Sequence, residues 1–220
     1  QLGAFVLLVI STAVGFLLLT AAGASAQLGS RPADEWIATL DGPQRVATLR
    51  IDEVVAAVNI RPGQTVADIG AGSGLFSVPL AKAAGPKGRV YAVEIDEGFF
   101  PQIRKRAAEA GVDNVETILG KFTDPALPVK TIDVAFFHDV LHHIAERPAY
   151  LKTVARYLAP DGRIVVVDYQ AGVGPHPGHP ELEVSRAQLE AWMSDAGLTE
   201  VQAIEMFPDK YFLSFARRRQ

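Results

Sequence analysis

The sequence predicts an α/β fold built on a doubly wound, mostly parallel seven-stranded sheet that ends in an antiparallel hairpin. From about residue 61 onward, apolar strand-like runs alternate with helical segments, the pattern of a sheet covered by helices. The run 132–137 is apolar on both faces, as a parallel strand buried on both sides requires. The last two strands are joined by a turn too short for a crossover, so they should pair antiparallel at one sheet edge.

The elements follow in order along the chain. Runs rich in apolar residues and bounded by turn residues predict strands at 65–69, 89–94, 114–118, 131–137, 162–168, 199–205 and 210–216. Apolar positions three and four residues apart predict helices at 74–84, 97–110, 146–158 and 185–196. Pro79 should bend the first of these helices modestly.

Ahead of the sheet, the sequence predicts three further segments. Residues 1–23 are a transmembrane helix or a signal segment, 24–33 a linker and 34–60 an N-terminal helical lid, so that 61–220 form the main domain. Residues 2–22 carry no charge, and about 20 apolar residues can cross a bilayer, whereas a signal-peptide core needs only about 7–15. The length therefore favours a retained membrane anchor.

The end of this segment favours the other interpretation. Ala24-Ser25-Ala26 is typical of a signal-peptidase site. If it is a real export signal, the soluble domain is periplasmic or otherwise extracytoplasmic; if not, the domain lies on the cytoplasmic face of a membrane that residues 2–22 enter. Both alternatives stay open.

Composition excludes several classes of function. The net charge is −4, from 21 Lys and Arg against 25 Asp and Glu, so no nucleic-acid partner is predicted. The absence of cysteine excludes disulfides, thiolate metal sites and cysteine nucleophiles. The basic run 217–219 is interpreted as a solvated tail.

The stretch 65–74 is a buried strand that ends in Asp68 and continues into Gly70, Gly72 and Gly74. Glycine lets a turn adopt left-handed angles and approach a ligand without a Cβ, and the helix that follows should point its free N–H groups at that ligand. The pattern predicts a nucleotide-type cofactor site. Its spacing is Gly-x-Gly-x-Gly, not the Gly-x-Gly-x-x-Gly of dinucleotide binders.

Two more segments should reach the same edge of the sheet, because ligands of doubly wound sheets bind at the carboxyl ends of strands. Glu94 ends the second predicted strand, where its carboxylate can accept two hydrogen bonds from ribose hydroxyls. The run 136–143 ends the fourth and contains His138, Asp139 and the pair His142-His143.

In this order the residues resemble the class I S-adenosylmethionine-dependent methyltransferases, in particular their small-molecule branch. The resemblance covers about residues 45–217 and rests on Asp68 to Gly74, Glu94, Asp139 to His143, Leu158 to Gly162 and the final hairpin. It implies a Rossmann-like methyltransferase domain over 61–220, S-adenosylmethionine as cofactor, and a small-molecule or lipid-like acceptor.

The resemblance also implies roles for individual residues. Eight side chains or backbone positions would bind the cofactor: Asp68, Gly70, Gly72, Gly74, Glu94, Asp96, Phe122 and His138. Lys121 departs from the family pattern, which often places an acid there to accept from the adenine amino group. Lysine has donors only and cannot replace it.

Catalytic residues are harder to predict, because methyl transfer needs mainly proximity and alignment, with a base only when the acceptor must lose a proton. The candidates are Asp139, His142 and Tyr169. A purely structural role for the paired histidines is the alternative. In the run 176–181, prolines exclude the helical two-histidine geometry and no third ligand is evident, so a loop over the site and no metal are predicted.

Two functions are compatible with these features. The first is a membrane-anchored S-adenosylmethionine-dependent methyltransferase acting on a small or lipid-like acceptor. The second is a catalytically silent methyltransferase-fold subunit with a structural role in a membrane protein complex, whose partners would be integral membrane proteins. Lys121 and the export-like ending motivate the second, because S-adenosylmethionine is made in the cytosol.

Overall fold

The computed structural model describes residues 31–218. The predicted membrane or signal segment 1–23, the Ala24-Ser25-Ala26 motif and most of the predicted linker lie outside the described residues. Among residues 31–218, no helix combines the length and the apolar character needed to cross a bilayer.

Seven strands form one mixed sheet in the order β3-β2-β1-β4-β5-β7-β6, which confirms the predicted sheet. The strands are Thr65–Ile69 (β1), Arg89–Glu94 (β2), Val115–Leu119 (β3), Ile132–His138 (β4), Leu158–Tyr169 (β5), Thr199–Ile204 (β6) and Lys210–Ala216 (β7). The pairs among β1 to β5 are parallel, whereas β7 runs antiparallel to both β5 and β6. The final hairpin is therefore present, with β6 at the sheet edge.

Seven α-helices accompany the sheet within the described residues. They are Ala33–Leu40 (α1), Pro43–Thr48 (α2), Ile51–Val58 (α3), Ser77–Ala84 (α4), Phe100–Glu109 (α5), Arg147–Tyr157 (α6) and Arg186–Asp195 (α7). The predicted helical lid comprises three helices. The chain is interrupted between α1 and α2 at Gly42 and between α2 and α3 at Arg50, whose left-handed φ of 49° cannot continue a helix.

Two predicted boundaries differ from the structure. The helix after the glycines begins at Ser77 instead of residue 74, because the turn takes more residues than its sequence suggests. β5 begins at Leu158 instead of residue 162. A register irregularity in its pairing with β4 matches Leu158 to Ile132 and Arg163 to Val134. Residues 158–162 therefore form a bulged extension of the strand.

The core consists of two layers on opposite faces of the sheet. The neighbours Phe136 and Phe137 are both fully buried, but they belong to different layers. Leu151 of α6 and Leu189 of α7 pack on the Phe137 face, and Leu80 of α4 packs on the Phe136 face. Strand order reverses between β1 and β4, which opens a crevice at their carboxyl ends.

Helix α1 lies close to this crevice. Trp36, Ile37 and Leu40 of α1 pack against a small apolar cluster that contains Phe99 and Ile103. The predicted lid therefore contacts the segment that follows β2, and it contributes residues to the cavity described next.

Candidate functional site

A cavity of about 190 Å³ lies at the carboxyl ends of β1, β2 and β4, under α1. Seven of the predicted site residues line it: Asp68, Gly70, Gly72, Glu94, Phe122, His138 and Asp139. Four others are not in the lining, namely Gly74, Asp96, His142 and Tyr169. The fold thus assembles most of the predicted cofactor set in one place.

The glycine turn needs its glycines for two different reasons. Gly70 has a φ of 69°, and a Cβ added there would lie 2.2 Å from Cγ2 of Val140. Gly74 has a φ of 82° and lies against Ile103 of α5, so its role is close packing behind the turn. Both positions require a residue without a side chain.

Four N–H groups of the turn have partners inside the protein. Gly70 and Ala71 both donate to the carbonyl of Val93, at 2.9 and 3.1 Å, and Gly72 donates to Oε1 of Glu94 at 2.6 Å. Gly74 donates to the carbonyl of Ala71. With these four donors engaged and α4 beginning only at Ser77, the glycines do not form a phosphate cradle of the kind found in dinucleotide sites.

Two buried acids lie beside the turn. Glu94 accepts the N–H of Gly72 and of Ile95, and Asp68 accepts the hydroxyl of Ser77 at 2.5 Å. Burial raises the pKa of each carboxyl to about 7. A ligand that donates hydrogen bonds or carries positive charge would favour their ionised forms.

The opposite wall is formed by the end of β4. The carboxylate of Asp139 accepts from Nζ of Lys210 at 2.8 Å and lies 3.4 Å from Nδ1 of His138 and 3.7 Å from Arg45. Burial acts to raise the pKa of Asp139, but the attraction of these three groups lowers it below its usual value. Burial lowers the pKa of His138 to about 4, so the imidazole is neutral at pH 7.

Polar atoms without a partner are concentrated at this cavity. Within residues 31–218, four buried side-chain atoms lack a hydrogen-bond partner: Nε1 of Trp36, Nε2 of His138, Oδ1 of Asp139 and the hydroxyl of Tyr211. The first three belong to residues that line the cavity. Because buried polar groups are normally paired, these atoms indicate a place where a bound molecule completes the hydrogen bonding.

The predicted residues outside the lining have contacts of their own. Asp96 accepts the N–H of Gly98 at 2.8 Å and caps the short turn before α5. Tyr169 lies beneath Nζ of Lys210, 4.4 Å from its ring centre. Phe122 reaches the rim of the cavity, but 62% of its surface is exposed.

His142 is turned away from the cavity and into a cluster that the sequence did not indicate. Its Nδ1 lies 2.6 Å from Oδ1 of Asp168, and its ring is 4.1 Å from that of His143 and 5.4 Å from that of His176. The sequence prediction found no third ligand for His176 and no metal site. The fold supplies the missing neighbours, His142 and His143, from the turn that follows β4.

Burial, together with the neighbouring His142 and His176, lowers the pKa of His143 to about 3. Burial also lowers the pKa of His176. Among the described residues, one ring nitrogen from each of the three histidines lies within 4.8 Å of the others. His143 is the member of the cluster that also lines the cavity.

A family model described as "Methyltransferase domain" matches residues 60–206, which is most of the sheet and both walls of the cavity. The chain belongs to this methyltransferase family. The glycine turn, Glu94 and the end of β4 all lie inside the matched region.

Among curated proteins, the methyltransferase is similar to nocamycin O-methyltransferase of Saccharothrix syringae, with 36% identity over 107 residues that make up 49% of this chain and 38% of that protein. It is also similar to a ubiquinone/menaquinone biosynthesis C-methyltransferase of Burkholderia orbicola, with 32% identity over 52% of this chain and 47% of that protein. The chain spans less than half the length of these relatives.

Among solved structures, a SAM-dependent methyltransferase from Aquifex aeolicus has the same fold. The TM-score is 0.74 at 24% identity, and the match covers 84% of this chain and 97% of that one. The likeness supports the assignment of the sheet and its helices.

Two polar residues of the methyltransferase site escaped sequence reasoning, Arg45 and Lys210. Arg45 comes from the lid, whose orientation no pattern in the sequence fixes. Lys210 could have been found, because the antiparallel pairing of β7 with β5 places it directly opposite Tyr169, at the carboxyl end of β5. A charged residue at that register position should reach the cavity wall.

Proposed function

We propose that this methyltransferase binds S-adenosylmethionine at the glycine turn and methylates a small-molecule acceptor bound at the end of β4. The observation that carries the proposal is the hydrogen bonding of the turn. The N–H groups of Gly70, Ala71, Gly72 and Gly74 have partners within the protein, and Glu94 is the acceptor beside the turn. Such a site suits a nucleoside cofactor without phosphates.

The residues around the turn fit the chemical groups of this cofactor. Glu94 retains lone pairs on both carboxylate oxygens after accepting from Gly72 and Ile95, so it can also accept from ribose hydroxyls. Trp36 and Phe99 supply apolar surface for the adenine ring. The cofactor supplies a methyl group bound to a positively charged sulfur, and Asp68 and Glu94 place negative charge in the same cavity.

The acceptor would lie against the other wall. Lys210 and Arg45 keep Asp139 ionised, and its unpaired Oδ1 can accept a hydrogen bond from an acceptor hydroxyl or amine. Because Nδ1 of His138 faces the carboxylate of Asp139, we assign the proton of the neutral imidazole to Nδ1. Nε2 is then a hydrogen-bond acceptor, in addition to Oδ1 of Asp139. We assign these two residues to orienting the acceptor, and Asp139 to receiving its proton where one is released.

Membrane attachment through residues 2–22 lies outside the described residues and stays a prediction, as does an acceptor that resembles a lipid. A reporter fused to the C-terminus would establish on which side of a membrane the domain lies. The silent-subunit alternative rested on the export-like ending, which also lies outside the described residues, and on Lys121. The side chain of Lys121 is exposed, and its presence removes a single expected hydrogen bond.

Isothermal titration with S-adenosylmethionine tests the cofactor assignment. Glu94→Gln should weaken binding about tenfold to a hundredfold, the range expected for loss of a charged hydrogen-bond acceptor. Glu97→Gln is the matched control: Glu97 lies three residues further on, is exposed, and is not in the lining, so its affinity should equal that of the wild type.

Nicotinamide dinucleotides should not bind, because the glycine spacing differs from that of dinucleotide sites and the N–H groups of the three glycines already have partners. Wild-type protein that fails to bind S-adenosylmethionine at millimolar concentration would overturn the proposal. Equal affinities of the Glu94 and Glu97 variants would remove Glu94 from the site. Transfer of a labelled methyl group to candidate small molecules then identifies the acceptor class.

A further inference from the structure

Three histidines from two distant segments meet beside the cavity. His142 and His143 lie on the single turn Leu141–His143 that follows β4, and His176 lies in the loop that follows β5. The ring centres of His143 and His176 are 5.1 Å apart, and each of the three rings contacts the other two. One ring nitrogen from each residue lies within 4.8 Å of the others.

The cluster has a supporting shell. Asp168, 1% exposed at the end of β5, holds Nδ1 of His142 at 2.6 Å and also accepts the backbone N–H of His142 at 3.2 Å. This contact fixes the ring and leaves Nε2 as the nitrogen that can bind a ligand. A carboxylate that orients a histidine through its other ring nitrogen is the usual outer-shell arrangement at metal sites.

The two segments that carry the histidines are also fastened to each other. The guanidinium of Arg147 donates to the carbonyls of Leu141 and His142 on one segment and to the carbonyl of Glu181 on the other, at 3.2, 2.5 and 2.7 Å. The loop after β5 is therefore held against the turn after β4, with His176 facing the histidine pair.

We propose that His142, His143 and His176 bind one divalent transition-metal ion, with zinc as the best fit. Three histidine nitrogens with an open fourth position are a known zinc coordination, and imidazole ligands suit zinc, copper and nickel. Magnesium and calcium prefer oxygen ligands, which this cluster does not offer. The buried carboxylate of Asp168 offsets part of the charge of the ion.

The geometry requires a modest closure. Tetrahedral zinc with Zn–N bonds of about 2.0–2.1 Å places its ligand nitrogens roughly 3.4 Å apart, closer than the 4.8 Å within which the nitrogens of the cluster lie. His176 is on a loop whose neighbours Pro175 and Pro177 are exposed, so rotation of its ring and a small shift of the loop can close the difference. An ion bound there would fix the loop to the cavity wall through His143.

Zinc titration of the full chain, purified without a polyhistidine tag and treated with a chelator, tests the proposal. We expect one zinc ion per chain and a cobalt complex with the absorption bands of tetrahedral coordination, whereas magnesium should not bind. His176→Ala should weaken zinc binding at least about tenfold, since loss of even an outer-shell partner has that effect. His176 lies on a loop outside the core, so the variant should fold.

His179→Ala is the matched control. It lies three residues away on the same loop, exposed, and its Nδ1 contacts Glu181 instead of the cluster. Its zinc affinity should equal that of the wild type; a loss equal to that of His176→Ala would overturn the assignment. The same samples are titrated with S-adenosylmethionine. Protein that binds the cofactor but no zinc overturns the metal site alone, and protein that binds zinc but no cofactor supports it and contradicts the proposed function.

Discussion

The two walls of the cavity differ in how their polar groups are satisfied. On the glycine side, the turn donors already have partners inside the protein, and Glu94 accepts two of the N–H groups in this region. On the side of β4, Nε2 of His138 and Oδ1 of Asp139 are buried without a partner. The backbone donors of the first wall have their hydrogen-bond partners inside the protein. The second wall presents side-chain atoms whose hydrogen bonding a bound molecule would complete.

This difference has a counterpart in conformational strain. Asp139 adopts a left-handed φ of 52°, which costs energy for a residue with a Cβ, and its carboxylate is held there by Lys210. The glycine turn reaches the same backbone region with residues that tolerate it. Of the two walls, only the one where we place the acceptor therefore carries this backbone strain.

The largest expected effect comes from breaking the buried ion pair of the β4 wall. Lys210→Met should lower the free energy of unfolding by about 3–4 kcal/mol, because it removes the closest counter-charge of a buried carboxylate. Urea denaturation measures the change. Lys152→Met is the matched control: its pair with Asp195 is exposed and 3.8 Å long, so the loss should stay below about 0.5 kcal/mol.

Adding Asp139→Asn to the Lys210 variant should recover part of the stability, since the uncompensated charge is then removed. A double variant no more stable than Lys210→Met alone would show that packing of the lysine stem, and not its charge, stabilises this wall.

The next largest effect is expected on the glycine wall. Gly70→Ala should destabilise the protein by about 2–3 kcal/mol, because the residue has a positive φ and its new methyl group would lie 2.2 Å from the stiff side chain of Val140. Gly111→Ala separates the two causes. Gly111 has nearly the same φ, 66°, but open space around it, so its cost should be about 1 kcal/mol.

Val140→Ala in the Gly70 variant removes the 2.2 Å contact with Cγ2 but leaves Cβ of residue 140 at 2.9 Å, so it should restore only part of the excess. If Gly70→Ala and Gly111→Ala cost the same, the turn is less rigid than its contacts suggest, and the contrast between the walls weakens.

The smallest effect is the dependence of stability on pH, to which the two walls contribute with opposite sign. The folded-state pKa values of Asp68 and Glu94 are raised to about 7, so their contribution is lost as the pH rises from about 4 to about 7 and is constant above that. The pKa of His138 is lowered to about 4, so its contribution is lost as the pH falls from about 6.5 to about 4. The two contributions therefore oppose each other over the same range of pH.

Within its range, each group should contribute a slope of up to about 1.4 kcal/mol per pH unit. Thermal unfolding between about pH 4.5 and about pH 8 measures the net slope. Glu94→Gln removes a contribution that falls with rising pH, so below about pH 7 its stability should increase more, or decrease less, with pH than that of the wild type. His138→Gln should change the slope in the opposite direction below about pH 6.5, and two variants that shift it in the same direction would contradict the opposite signs.

The sequence was a good guide wherever the structure depends on local pattern. The bounds of β1 and β2 were predicted correctly, because apolar runs with sharp turn signals specify buried strands. The start of β5 was not, since the irregular pairing of Leu158 with Ile132 depends on the partner strand. No local pattern reveals that the carbonyl of Val93, from another strand, accepts two of the turn amides.

Side chains that meet only in the folded chain were the least predictable. His142 and His143 are separated from His176 by one helix, one strand and part of a loop, and each segment by itself has an ordinary structural interpretation. Arg147, which fastens the segments, is an unremarkable position at the start of α6. The strand order of the fold brings these side chains together, and their spacing along the sequence does not indicate it.

The hydrogen bonds from Gly70 and Ala71 to Val93 have a consequence for how this protein could diverge. They hold the position of the turn through the main chain, which a side-chain substitution does not remove. The acceptor wall consists of exchangeable side chains on one short segment. Drift or laboratory selection should therefore alter what is methylated far more readily than the molecule that supplies the methyl group.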